Sequence, residues 1–186
     1  MELVLVYASF DQLHGEALPQ ELSELIERSP ADVAVVAGLG LAAESTDPVC
    51  VPFGGGEHDW AALELGAWLA ASTGRSLTLV GTKGVREKRD ASRLLADASL
   101  AVQRLVDVDT EPLLVEPSED ALVDVLRTAS TVFVGNSPRW RSEGVGPTRG
   151  ALLRAGLPVV IVHRGLRPGG LAPAESRTRF TWTAQR

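Results

Sequence analysis

Cysteine is almost absent from this chain, since Cys50 is the only one among 186 residues. A lone cysteine excludes an internal disulfide and a cysteine-cluster metal site. No apolar run approaches the roughly 20 residues that a membrane-spanning helix needs, and the N-terminus lacks the basic region of a secretion signal. These absences predict a soluble, cytoplasmic protein.

The residues that usually carry catalysis are also scarce. The three histidines show none of the spacings of a metal site. Ser142 has no evident histidine and aspartate partners, so a nucleophilic triad has little support. We therefore expect that the chain is not an enzyme and holds no metal.

Charge is distributed unevenly along the chain. Residues 1–137 carry 9 basic and 22 acidic side chains, net −13, whereas residues 138–186 carry 9 arginines against 2 glutamates, net +7. These arginines could form a solvated face and a loose tail, or an anion site. Nucleic acid is not an expected partner, because most of the molecule would repel a phosphate backbone.

Hydrophobic periodicity predicts strands that alternate with helices. From residue 48 the order is β-α-β-α-β-α-β-α-β, which is typical of an open, five-stranded parallel α/β sheet with helices on both faces. Residues 1–37 read β-loop-α-β and repeat the pattern of 131–163. We therefore divide the chain into an accessory, partial module over 1–45, a main domain over 46–165 and a tail over 166–186. We expect the strand at 32–37 or at 3–8 to pair near 158–163.

Two segments place glycines between a strand and a helix. Residues 48–70 read PVCVPFGGGEHDWAALELGAWLA, and residues 131–162 read TVFVGNSPRWRSEGVGPTRGALLRAGLPVVIV. Ligands bind beyond the carboxyl ends of such strands, where helix N-termini favour anions. The glycine run could admit a ligand or simply serve the turn. We expect His58 and Asp59 to cap the helix that follows.

Residues 48–163 resemble the universal stress protein family. VPFGGGEHDWAALELGAWLA is similar to the family's first strand, loop and helix, and EPSEDALVDVLRTASTVFVG to the helix and strand before its glycine-rich loop. The resemblance implies a Rossmann-like fold that binds adenine nucleotides and dimers that pair through the last strand. The first of these segments and the tail ending in RTRFTWT also resemble cytoplasmic C-terminal modules of bacterial cation/proton antiporters, which often occur in tandem.

The resemblance also implies a nucleotide site, from which this sequence departs. The implied site residues are Gly54, Gly55, Gly56, Val80, Gly135, Asn136, Gly144, Gly146, Thr148 and Arg149. In the phosphate loop Gly-x2-Gly-x9-Gly-Ser/Thr, Gly135 matches the first position, but Pro138 stands at the second and Pro147 precedes the third. Because proline has no N–H, both prolines remove donors for phosphate. Gly54 stands where nucleotide-binding members have an aspartate. ATP or another adenine nucleotide is thus a possible cofactor, not an assigned one.

Five aromatic residues complete the interpretation. Trp60 and Trp68 share one broad helical face and are expected in the core. Trp140 lies between two arginines and is a candidate for stacking on a base or a partner. Phe180 and Trp182 alternate with polar residues, which favours an added edge strand or a docking contact, the alternative being a disordered end.

The leading hypothesis is a cytoplasmic regulatory module of the universal stress type that belongs to a membrane cation/proton antiporter. It would sense an adenine nucleotide or another anion, or mediate dimerisation. Its expected partners are a second copy or tandem module paired through the last strand, and the membrane part of a transporter. The alternatives are a free-standing ATP-binding stress protein and an interaction scaffold whose nucleotide site has decayed.

Overall fold

The computed structural model describes residues 3–13, 17–37, 45–84 and 91–172. The strands in these ranges are β1 (Leu3–Ala8), β2 (Asp32–Ala37), β3 (Val49–Pro52), β4 (Leu77–Thr82), β5 (Thr110–Val115), β6 (Thr131–Gly135) and β7 (Val159–His163). The helices are α1 (Phe10–Leu13), α2 (Gln20–Arg28), α3 (Glu57–Thr73), α4 (Ser92–Val106), α5 (Glu119–Leu126), α6 (Trp140–Glu143) and α7 (Gly146–Arg154).

All seven described strands form one sheet in the order β1-β2-β7-β6-β3-β4-β5. Neighbouring strands from β7 to β5 are parallel, which confirms the predicted five-stranded parallel sheet with its Rossmann-like alternation. The two accessory strands do not form a separate layer but extend the same sheet.

The accessory strands join the sheet through β2, which pairs antiparallel with β7. The predicted pairing of residues 32–37 with the last strand is therefore confirmed. The central pairs are Ala34–Val162, Val35–Ile161 and Val36–Val160. β1 pairs with β2 in parallel as β6 does with β7. The antiparallel pair β2–β7, centred on Val35 and Ile161, therefore joins two parallel strand pairs.

The sheet has a hydrophobic core on each face. Helices α3 and α4 pack on one face, and α2, α5 and α7 on the other. Helix α3 is buried almost all round, with Trp60 5% exposed and edge-on to Phe53 at 4.8 Å. Trp68 packs against the same core. Both tryptophans therefore occupy the predicted core positions.

The prediction that Trp140 is available for stacking is wrong. Residues 140–143, expected to be a loop, form the short helix α6, and its first residue, Trp140, is 3% exposed. The indole lies edge-on to His163 at 5.8 Å, and the Arg141 guanidinium covers its ring at 4.6 Å. Burial in the second core leaves no ring face for a base. Phe180 and Trp182 lie outside the described residues.

The sequence leaves either a solvated face or an anion site open for the arginines after β7, but Arg167 is paired with carboxylates inside the molecule. Its guanidinium contacts the carboxylates of Asp32 at 2.6 Å and Glu64 at 3.1 Å. The Asp32 carboxylate also accepts the Gly165 N–H at 2.8 Å, and the Glu64 carboxylate the Gly170 N–H at 2.8 Å. Residues 164–172, here called the strap, thereby tie β2 to α3.

Candidate functional site

The site lies where the sheet changes direction, between β3 and β6. These strands are neighbours, but the chain continues from β3 to β4 on one side and from β6 to β7 on the other. Such a switch point opens a crevice beyond the carboxyl ends of the two strands. Gly54, Gly55 and Gly56 follow β3 there, and Gly135 ends β6.

Asp59 accepts hydrogen bonds from the glycine run that follows β3. Its Oδ2 accepts the N–H of Gly54 at 3.1 Å and the N–H of Gly56 at 3.0 Å. Gly55 between them has a φ of 82°, a left-handed conformation that favours glycine. The capping role expected of Asp59 is confirmed. Its carboxylate takes two amide donors that a ligand would otherwise meet.

Gly135 is a packing residue at the end of β6. A Cβ on Gly135 would fall on the backbone of His58 and on the backbone and carboxylate of Asp59. The close approach lets the first turn of α3 rest directly on β6. Glycine at this position is therefore explained by packing alone, whether or not a phosphate binds nearby.

Arg149 reaches across the crevice from the second turn of α7. Its Nε–H donates a 2.6 Å hydrogen bond to the carbonyl oxygen of Gly135. Burial lowers the pKa of the guanidinium, and the nearby carboxylates of Asp59 and Glu143 oppose that shift. The crevice thus contains a desolvated cation balanced by carboxylates from two different segments.

The loop between β6 and α7 is held by its own side chains. Asn136 Oδ1 accepts the Ser137 N–H at 2.8 Å, and Ser137 Oγ donates to Glu143 at 3.4 Å. Glu143 also pairs with Arg139 at 3.0 Å. Asn136 Nδ2 lies 3.3 Å from His163 Nδ1. These contacts tie the loop to itself and to His163 at the end of β7.

Four of the residues implied by the resemblance come together around Asp59, namely Gly54, Gly56, Gly135 and Arg149. Gly146 lies beside Arg149 and Glu143. The Val80 side chain is fully buried in β4, and its carbonyl accepts the Phe53 N–H at 2.8 Å. Gly144 precedes α7 with a φ of 56°, and Thr148 is buried in that helix. Neither the Val80 nor the Thr148 side chain faces open solvent in the crevice.

Asp59 and Glu143 complete the cluster, and neither was predicted as a site residue. Asp59 carried a signal, because it lies three residues after the glycine run. Glu143 carried none, since its position depends on how α6 folds. Among the described residues no group of three potential metal ligands occurs.

A cavity of about 140 Å³ adjoins this cluster between the N-terminal segment and α7. Glu143 and Gly146 of the cluster line it together with Phe10, Gly150 and Arg154. Pockets for drug-sized ligands have roughly 300–1,000 Å³. This cavity by itself is therefore smaller than pockets of that class.

Comparison with known proteins identifies relatives by fold. No protein-family model and no curated protein sequence matches the chain. A universal stress protein from Archaeoglobus fulgidus is similar over 63% of this chain and 93% of its own, with 22% identity and a TM-score of 0.52. A universal stress protein solved in complex with cAMP covers 65% of this chain and 100% of its own, with 22% identity and a TM-score of 0.52.

A third structure extends the likeness towards the N-terminus. It is a universal stress protein from Archaeoglobus fulgidus DSM 4304, with 16% identity and a TM-score of 0.57, covering 88% of this chain and 60% of its own. Residues 46–186 are only about three quarters of the chain, so this alignment reaches into residues 1–45. These likenesses show that the chain has the universal stress protein fold, extended by the strands β1 and β2.

Proposed function

We propose that the chain is a non-enzymatic regulatory module whose ligand is an adenine nucleotide or another phosphate-bearing anion. The observation that carries the proposal is the half-buried guanidinium of Arg149, which is hydrogen-bonded to the Gly135 carbonyl at the switch point of the sheet. Arginine binds phosphate oxygens with a planar fork of donors. Structural neighbours solved with cAMP and with dAMP support this class of ligand.

In this proposal the ligand replaces internal carboxylates. The carboxylates of Asp59 and Glu143 raise the pKa of Arg149 against the effect of burial. Asp59 also accepts hydrogen bonds from the amides of Gly54 and Gly56. A phosphate group would bind the Arg149 guanidinium in place of one or both of these carboxylates. Because Asp59 lies in the first turn of α3, its release would alter how that helix starts, and binding would favour one arrangement of the module.

Calorimetric titration with ATP, AMP, cAMP and inorganic phosphate tests the proposal. Arg149→Gln should weaken binding at least about tenfold, the effect of losing ~1.4 kcal/mol of a charge-assisted contact. Arg104→Gln is the control, because Arg104 is exposed in the last turn of α4 and does not line the cavity. Asp59→Asn should strengthen binding, since the competing negative charge is gone. Equal affinities in all three variants would place the ligand elsewhere.

A second candidate function is an interaction scaffold whose nucleotide site has decayed. It is favoured by the capture of two loop amides by Asp59 and by the prolines Pro138 and Pro147 in the phosphate loop. Absence of binding heat with every titrated anion would support the scaffold and reject the sensor. Release of inorganic phosphate from ATP above the buffer rate would contradict both, because each treats the chain as non-catalytic.

The attachment to a cation/proton antiporter is part of the proposal and rests on the sequence resemblance. Within the described ranges, no helix has both the length and the apolar character needed to cross a bilayer. We propose that the module acts on the cytoplasmic side of such a transporter. Deleting the gene should change cation/proton exchange in membrane vesicles from the same cells. Unchanged exchange would remove the transporter from the proposal and leave the anion site to be judged separately.

A further inference from the structure

Three residues beyond the ends of β6 and β7 form a hydrogen-bonded chain with a fixed direction, here called the relay. The Ser137 N–H donates to Asn136 Oδ1 at 2.8 Å, and a backbone N–H can only donate. The Asn136 amide oxygen therefore faces Ser137, and its Nδ2 faces His163 Nδ1 at 3.3 Å. Because Nδ2 is also only a donor, Nδ1 must accept. His163 in this structure is thus a neutral imidazole that carries its proton on Nε2.

A proton cannot be added to His163 Nδ1 without a change in the relay. Both ring nitrogens of an imidazolium are donors, so the new N–H would meet the Nδ2 donor of Asn136. If the amide turns over, Oδ1 accepts from the ring, but the Ser137 N–H loses its acceptor. Asn136 and Ser137 are both buried, and a buried donor without an acceptor is costly. An anion beside Ser137 would supply the missing acceptor.

Ser137 lies at the candidate anion site. A Cβ on Gly146 would be 3.6 Å from Arg149 Nη1, 3.8 Å from the Ser137 Cβ and 3.9 Å from Glu143 Oε2. The Ser137 hydroxyl also donates to Glu143 at 3.4 Å. Backbone N–H groups in turns of this kind bind phosphate oxygens. The far end of the relay therefore lies beside the guanidinium to which we assign the anion.

The surroundings of His163 set the pH range in which the relay would change. Charged and titratable groups come from five segments: Asp32 of β2, Glu57 and His58 of α3, Arg141 of α6 with its partner Glu27 of α2, and Arg164 of the strap. Burial lowers the pKa of His163 most, Glu57 and Asp32 raise it, and Arg141 lowers it. The ring is only half-buried, so protons can reach it from solvent. The change is therefore expected below about pH 6.5, the ordinary pKa of histidine.

We propose that His163 is a positioning residue that couples proton uptake to anion binding, by turning the Asn136 amide so that the Ser137 N–H is offered to a phosphate group at Arg149. The inference rests on the proposed function, because it concerns the same site. Neutral His163 keeps the Ser137 N–H occupied, and protonated His163 releases it. Coupling between two sites is reciprocal, so a bound anion should in turn favour the protonated ring.

Calorimetric titration with cAMP at pH 8 and pH 5.5 measures the coupling, because the cAMP phosphodiester keeps one negative charge at both pH values. The unchanged protein should bind about three- to tenfold more tightly at pH 5.5, the effect of one added hydrogen bond. His163→Gln should bind alike at both pH values, because it cannot take up the proton. Asn136→Ala should do the same, because it removes the middle of the relay.

His58→Gln is the control variant. Its ring contacts His163 at 4.3 Å, but His58 is not a member of the relay, so the pH dependence of binding should be retained. Circular dichroism at both pH values reports whether each variant is folded. The Ser137 amide resonance in NMR gives a second readout that needs no ligand. It should shift with the same midpoint as the His163 ring, and the shift should disappear in His163→Gln.

A Ser137 resonance that does not follow the His163 titration would overturn the inference. A pH dependence that persists in folded His163→Gln would do the same, and one that persists in Asn136→Ala would show a charge acting through space rather than a relay. Equal affinities at both pH values in the unchanged protein would overturn the coupling alone and leave the anion site at Arg149 in place. No heat with cAMP at either pH would overturn the coupling and also remove cAMP from the proposed ligands.

Discussion

Gly135 accepts a hydrogen bond from Arg149 through its carbonyl oxygen, while its α-carbon lies against the first turn of α3. One glycine therefore joins the end of β6 to both helices that border the crevice. Its carbonyl oxygen accepts the hydrogen bond from Arg149, and its lack of a side chain lets α3 approach β6 closely. The following predictions test this junction and the contacts around it.

Gly135→Ala should destabilise the protein by about 2–3 kcal/mol, because the added methyl would meet backbone atoms of α3, which cannot move aside as a side-chain tip would. Urea unfolding measures the free energy. Gly150→Ala is the control, since its Cβ would meet only the mobile tip of Arg154. In helix α7 this alanine should be neutral or stabilise by up to about 1 kcal/mol. Equal effects of the two changes would contradict the close approach at Gly135.

Arg167→Met should cost about 3–5 kcal/mol of unfolding free energy, because it leaves the carboxylates of Asp32 and Glu64 buried without a counter-charge. Burial by itself lowers the pKa of Arg167, but those two carboxylates outweigh it and raise the pKa above its usual value. Arg127→Met removes an exposed pair with Asp124 and should cost under about 1 kcal/mol. The contrast is read from chemical denaturation at neutral pH. Similar losses in both variants would contradict the buried position of the Arg167 pair.

Stability should fall as the pH drops below about 6.5, the ordinary pKa of histidine. Burial lowers the pKa of His163 in the folded protein; Glu57 and Asp32 raise it, and Arg141 lowers it further. The unfolded chain therefore binds more protons in this range, and stability is lost on acidification. His163 also contacts the His58 ring at 4.3 Å and Asn136. Unfolding free energies at pH 8 and pH 5.5 should differ less in His163→Gln. An unchanged difference would assign the loss to other groups.

Cys50 should resist alkylation in the folded protein at pH 8. Burial raises the pKa of its thiol to about 11, although a hydrogen bond with Thr78 lowers it somewhat. The reactive thiolate is therefore scarce and shielded. Mass spectrometry after iodoacetamide treatment should show labelling only in denaturant. Leu166→Cys, at a position that is 87% exposed, gives the positive control in the folded state. Fast labelling of native Cys50 would contradict its place in the core.

The sheet could be predicted from local patterns because its strands are continuous apolar runs between polar turns. The repeat of β-α-β at both ends of the chain also predicted that β2 would pair with the last strand. The helix cap at Ser118 follows a local rule, since its Oγ accepts the Ala121 N–H at 3.2 Å in the first turn of α5. Each of these features depends on residues close together in sequence, or on a pattern that occurs twice.

Side-chain contacts between distant parts of the chain could not be predicted in the same way. Arg167 meets Asp32 and Glu64 across separations of more than 100 residues. Glu64 is a charged residue within the apolar pattern of α3, but the sequence does not identify its partner. The prediction for Trp140 was wrong because its arginine neighbours suggest exposure, whereas α6 turns the indole inward against His163. Such contacts follow from the tertiary fold rather than from local spacing.

The pairing of β2 with β7 also constrains the order in which the chain can fold. During synthesis β2 leaves the ribosome long before β7, and its partner strand is made only near the end of the described chain. The units β3-α3-β4 and β4-α4-β5 have their partners close in sequence and can form earlier. The unit β1-α2-β2 can also pair early, but the β7 side of β2 must wait for its partner, and the strap can tie β2 to α3 only after that. The pairing of β2 with β7 should be the last part of the sheet to gain protection from amide hydrogen exchange.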